Sequence, residues 1–249
     1  MFRMLKLNPP HGWRAVGWEL AIVTLGVLIA LAAQQWVEER SWIRKTEASI
    51  AAIREELSDH YANAVEWRTI YPCLDAQLDR LRGRVLASGA MLDPAPVYSE
   101  PDHRFVIRFP TKEYRDAAWK GAISDGTGPR LSGSMRRALG SYYTQLGWVQ
   151  DMTWASSQDG HALMTLSQPI PLDPMARLTL LQRIDQLRGR AQFMDRRAGN
   201  LLDYIQKLAM VPPPEEAEKL VRRYGTYRFC TAQRLPMRTL AEAMTGIPN

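Results

Sequence analysis

Cys73 and Cys230 are the two thiols of this 249-residue sequence, and they admit one intramolecular disulfide if the chain folds in an oxidising compartment. The bridge would close a loop of more than 150 residues, which a chain-entropy argument values at about 5 kcal/mol. The competing reading is two unpaired thiols packed as small core hydrophobes. No Cys-x-x-Cys pair or Cys/His cluster is present, so the spacing predicts neither a zinc site nor thioredoxin-like exchange.

Other chemistry-bearing patterns are missing from the sequence. There is no Gly-x-Ser-x-Gly elbow, phosphate-binding loop, dinucleotide fingerprint or His-Glu-x-x-His pair. The glycines of 121–133 lack the lysine and preceding strand of a phosphate loop and read as a turn. The four histidines, His11, His60, His103 and His161, are far apart. Glu56 and His60 lie one helical turn apart, but a di-iron bundle needs a Glu-x-x-His motif from each of two helices. No catalytic residue, metal or cofactor is therefore expected. An enzyme would need distant acids such as Asp116, Asp185 and Asp195 to converge in one cleft.

Glu19 is informative by placement, because it borders the uncharged apolar run Leu20–Ala33. An acid at that edge pairs with a basic group on a partner helix or protonates in lipid. Its bland alternative is a carboxylate reaching the headgroups near Arg14. Gly26 lies two turns on and on nearly the same face, where a second transmembrane helix could approach closely.

The element that must position Glu19 and Gly26 reads as a membrane anchor. Trp13 and Trp18 precede the run, and Trp36 and Trp42 follow it, so four of the eight tryptophans mark its two edges. Trp18 to Trp36 spans roughly 27 Å of helix, close to a bilayer core of about 30 Å. The leucines, isoleucines and valines of the run contribute about −2 to −5 kcal/mol of insertion energy. Glu19 costs about 3 kcal/mol only at the midplane, and less near the interface. A cleaved secretory signal competes, with Arg3, Lys6 and Arg14 as its basic region and Ala30-Leu31-Ala32 as a small-x-small site. The distal tryptophans and the helical pattern beyond the run favour an anchor. Basic residues flank both sides equally, so orientation rests on the length of the C-terminal domain and on the cysteines. These predict a cytoplasmic segment 1–14, an anchor 15–37 and a periplasmic domain 38–249 in a bacterial inner membrane.

Beyond the anchor the fold reads as all-α, an antiparallel bundle with minor β at most. Heptad spacing from Ile43 to Val85 continues the anchor helix, with a kink or break expected near Ile70–Cys73 because Pro72 removes a backbone donor. Residues 92–110 hold four prolines and a candidate strand, Phe105–Phe109. Thr111 reads as the cap of a helix through Trp119 to about Ser124, and a further helix is expected from about Ser132 to Leu166. Asp173 and Pro174 start a helix that keeps heptad spacing to about Met210, with Gly189 and Gly199 permitting close approach. Pro212-Pro-Pro214 stops it; shorter helices follow to about Tyr224 and after Pro236. The net charge of +6 and pI near 9.5 are spread along helices beside acids, which predicts solvated faces, or one facing anionic lipid, rather than a nucleic-acid surface.

Trp18-Glu19, Val23-x-x-Gly26-Val-Leu-Ile-Ala-Leu31 and Gln35-Trp36-Val-Glu38-Glu39-Arg40 together resemble the opening of an uncharacterised family of bacterial membrane-anchored proteins. That opening follows the pattern G-E-x-x-L-V-x-x-G-x-L-I-A-L-x-x-x-x-W-x-E-x-R. Looser likeness covers Trp119-Lys-Gly-Ala-Ile-x-x-Gly126, Leu131, Arg137, Leu139, Tyr142-Tyr143, Pro171-Leu172 and Arg177. Trp18 stands where the family often has glycine. The resemblance implies a helical domain outside the inner membrane of a Gram-negative bacterium, and no activity.

These readings lead to an expected function: a non-enzymatic accessory or scaffold protein, docked on other inner-membrane subunits through its single anchor. Its partners would be the bilayer and those subunits, with self-association through the heptads as an option. A periplasmic ligand-binding or sensing module is the alternative, and an enzyme the third.

Overall fold

The computed structural model of the chain describes residues 12–100 and 103–245; Arg3, Lys6 and His11 lie outside the described residues, as does the side chain of Arg14. The chain is 77% helix and 3% strand; among the described residues the β structure is one small hairpin and an isolated antiparallel bridge between Met91 and Pro171. Helix α1 covers Trp13–Ala87, and the chain forms two units, Met1–Ala48 and Ser49–Asn249.

Among the described residues of the first unit, 13–48 are helical, and the apolar run Leu20–Ala33 is uncovered. Trp18, Leu20, Val23 and Ile29 are each more than 60% exposed. An 18-residue window there has mean hydropathy 2.1, and none of it is buried.

In the second unit, α1 supplies one side of a core with Ile53, Leu57, Val65, Trp67, Ile70, Leu74 and Leu78, all of them buried. Strands β1 (Tyr98–Glu100) and β2 (His103–Phe105) pair antiparallel. Helices α2 (Ala117–Ser124), α3 (Gly133–Ala162), α4 (Pro174–Lys207), α5 (Pro214–Arg223), α6 (Gly225–Ala232) and α7 (Leu240–Met244) follow. The caps explain several starts: Ser132 accepts from the Met135 amide, Asp173 from the Ala176 amide, and Thr239 and Glu242 form a capping box. Contacts fix the relative directions of the long helices. Gln145 meets Tyr204 while Arg190 meets Asp159, so α3 and α4 run antiparallel. Arg177 reaches the Val85 carbonyl while Arg188 pairs with Asp75 and Asp79, so α1 and α4 do too.

Three local expectations are corrected. The expected strand Phe105–Phe109 gives way to the earlier hairpin, and Val106, Ile107 and Phe109 pack into the core without ladder partners. No helix begins at Thr111, because segment 111–116 spends its carbonyls on tertiary partners: Asn63 donates to Glu113 O at 3.2 Å, and Gln150 donates to Tyr114 O. The helix from Ser132 ends at Ala162, and 3₁₀ turns take over from Leu163 to Ser167.

Pro72 is the fourth correction, since α1 is helical straight through it. The proline cannot donate to the Arg68 carbonyl one turn back. Arg238 replaces the missing donor: its Nη1 donates to Arg68 O at 2.8 Å, and its backbone N–H donates to Thr69 O at 3.0 Å. Asp195 on α4 holds the guanidinium by accepting from both Nη1 and Nη2, the second at 2.9 Å. A segment remote in sequence thus repairs the helix from outside.

Candidate functional site

The residues singled out from sequence fall into two groups, one in each unit. In the first unit, Glu19 and Gly26 are seven residues apart on a continuous helix, about 20° from eclipsed. Glu19 is exposed, and a Cβ built on Gly26 meets nothing within 4 Å. Trp13, Trp18 and Trp36 are exposed, whereas Trp42 is half-buried. The distal pair carries basic partners: the Arg40 guanidinium lies 4.3 Å from the Trp36 ring centre, and Lys45 Nζ lies 4.8 Å from that of Trp42. Trp42 Nε1 also donates to Glu38 at 3.4 Å. An indole with a cation on its face and an acceptor at its nitrogen suits a headgroup layer, which is wet, charged and partly apolar.

In the second unit Cys73 and Cys230 are joined as a disulfide, with their Cα atoms 6.0 Å apart and both residues fully buried. The bond ties α6 to α1 one residue beyond Pro72, beside the Arg238 contacts. Arg68 adds another tie by donating to Thr245 O.

Glu56 and His60, one helical turn apart and of metal-ligating type, have other partners in the fold. Tyr143 donates to Glu56 Oε1 at 2.5 Å, and the Ala118 amide donates to its Oε2 at 2.9 Å. His60 Nδ1 shares a 2.9 Å hydrogen bond with the Tyr142 hydroxyl, and its ring lies 5.4 Å from that of Tyr114. Trp119 stacks on Tyr143 at 5.5 Å. Burial holds His60 neutral, pulling it down to about 4 against the weaker opposing pull of Asp59. Burial likewise pushes Glu66, one helical face along, up to about 7, while the Arg108 and Lys112 charges oppose the shift. Among the described residues no three His, Cys, Asp or Glu side chains gather as metal ligands. Asp116, Asp185 and Asp195 do not share a cation: they pair with Lys120, Arg82 and Arg238 respectively.

Two arrangements escaped sequence reasoning. One is the Arg238–Asp195 clamp on the Pro72 turn; its signal was the proline inside a heptad pattern, which demands an external donor. The other is a cleft between segment 111–117 and α3, whose wall carries Gln150, Thr153, Trp154 and Ser157.

No family model matches this chain, and no curated protein or solved structure matches it either. None of these comparisons supports the N-terminal likeness, and function rests on the chemistry of the two units.

Proposed function

We propose that the chain is a non-enzymatic, membrane-anchored accessory or scaffold subunit. Its single anchor helix docks on other inner-membrane proteins, and its disulfide-closed helical unit lies in the periplasm, with the N-terminus cytoplasmic. The observation that carries this reading is the uncovered apolar helix of the first unit, whose window of mean hydropathy 2.1 has no buried residue. Left in water, side chains such as Leu20, Ile22, Val23 and Leu25 would each forfeit about 1.5–3 kcal/mol of burial, which lipid restores. The fully buried disulfide supports an oxidising compartment for the second unit. The open Gly26 position beside exposed Glu19 supports a helical partner that brings a basic group to the interface.

Site-specific photocrosslinking in intact membranes tests the docking. A crosslinker at Gly26 is expected to capture one defined membrane protein. The same group at Leu28, about 160° around the helix, is expected to capture lipid only. Equal capture from both positions, or a clean monomer from each after mild solubilisation, would overturn the reading.

A further inference from the structure

A cleft of about 520 Å³ opens in the second unit between segment 111–117 and one face of α3, within the size range of small-molecule sites. On α3 that face comprises Gln150, Thr153, Trp154 and Ser157, spaced i, i+3, i+4 and i+7. The buried stripe of α3 is a different one, Leu139, Tyr142, Leu146 and Val149, so the core does not account for Trp154. That indole is 68% exposed at the cleft wall. The opposite wall is held in place by Asn63 and Gln150, which donate to successive backbone carbonyls, Glu113 O and Tyr114 O. Such a preformed cleft needs little ordering when a ligand enters.

The charges of the cleft narrow the ligand class. Lys112 and Arg115 are matched by Glu113 and Asp116. Arg115 is paired with Asp59 at 2.7 Å, Asp116 with Lys120 at 2.8 Å, and Lys112 lies 5.1 Å from the Tyr224 ring centre. The two positive and two negative side chains balance, so the cleft offers no net charge to select an ionic ligand. The remaining chemistry is an aromatic face, the hydroxyls of Thr111 and Ser157, the Thr153 hydroxyl as an acceptor because it donates to Val149 O at 2.8 Å, and carboxylate oxygens able to accept from sugar hydroxyls. A purely apolar ligand would leave those polar groups desolvated and unpaired, at a cost. A sugar ring has an apolar C–H face for the indole and a rim of hydroxyls for the rest.

We propose that this cleft binds a neutral saccharide stacked on Trp154. The proposal goes beyond the anchor reading and does not depend on it. The test is isothermal titration of chitotetraose and of maltotetraose into the full chain in lipid nanodiscs, which avoids glycoside detergents. At least one sugar is expected to bind saturably at one site per chain. W154A should weaken binding by about tenfold or more, W154F should retain most of it, and W148A, an exposed tryptophan on the same helix outside the cleft, should leave it unchanged. Absence of binding by both sugars at millimolar concentration, or binding that survives W154A, would overturn the proposal. So would W154A changing the oligomeric state in place of sugar affinity, which would make Trp154 a protein contact.

Discussion

Replacing Arg238 by alanine tests the account of how α1 passes through Pro72. The guanidinium serves two acceptors at once, the Arg68 carbonyl at 2.8 Å and the Asp195 carboxylate, whose side chain is only 15% exposed. A hydrogen bond from a charged donor contributes about 1.5–3 kcal/mol, and stranding a buried carboxylate costs about 3–5. Arg238 is itself 30% exposed, so water recovers part of both. A net loss of about 3 kcal/mol follows, or roughly 6–12 °C in Tm for a unit of this size. Thermal unfolding of the full chain in nanodiscs, followed by circular dichroism, reads it. The sharper test is a double-mutant cycle with P72A, which returns an N–H to position 72 and a donor to the Arg68 carbonyl. R238A should then cost about 1 kcal/mol less than in the parent chain. If the two costs agree within about 0.5 kcal/mol, Arg238 serves Asp195 alone and the repair of the proline turn is refuted. A Tm shift under about 2 °C for R238A would refute the clamp altogether.

Reduction of the Cys73–Cys230 bond, which closes 157 residues of sequence, should lower stability by up to about 5 kcal/mol; denaturant midpoints of the C73S/C230S chain measure it, and an unchanged midpoint would show that packing alone holds α6. Glu66 and His60 should oppose each other in pH dependence. With Glu66 at about 7 in the fold against 4.5 unfolded, stability falls as pH rises through that interval; with His60 at about 4 against 6.5, stability falls as pH drops through its own. Between about pH 4.5 and 6.5 the slopes offset, so midpoints of the parent chain should be nearly flat there. Those of E66Q should rise with pH, and a flat E66Q profile would refute this assignment. Gly225→Ala places a Cβ 2.5 Å from Arg108 Nη2, a guanidinium that also pairs with Glu100 at 3.0 Å; a loss of about 1–3 kcal/mol is expected, and a neutral result would show that Arg108 swings aside freely.

Much of the helical order was legible because it is written in local chemistry. Asp173 with Pro174, and Ser132, announced helix starts that the structure keeps, since a cap is a contact between near neighbours. Thr111 carried the same local signal and failed. The carbonyls of Glu113 and Tyr114 that a helix would have used internally are taken by Asn63 and Gln150, 50 and 36 residues away. Pro72 failed for the same reason, with its substitute donor in Arg238. Of the candidate sites, Glu56 and His60 were visible as a pair on one helical face. Their partners Tyr143 and Tyr142 could not be assigned until α3 was laid against α1.

The sequence by itself determined the apolar run between its tryptophans, the face shared by Glu19 and Gly26, and the dominance of helix. Each follows from side-chain periodicity along one backbone, which needs no tertiary partner to be defined. Only the tertiary structure decided that Cys73 meets Cys230, that Arg238 completes the turn at Pro72, and that Trp154 stands uncovered beside a polar cleft. Those are meetings between residues far apart along the chain, fixed by how α1, α3, α4 and the C-terminal helices pack in the second unit; a local pattern such as Pro72 can announce a missing donor, but it does not name the partner.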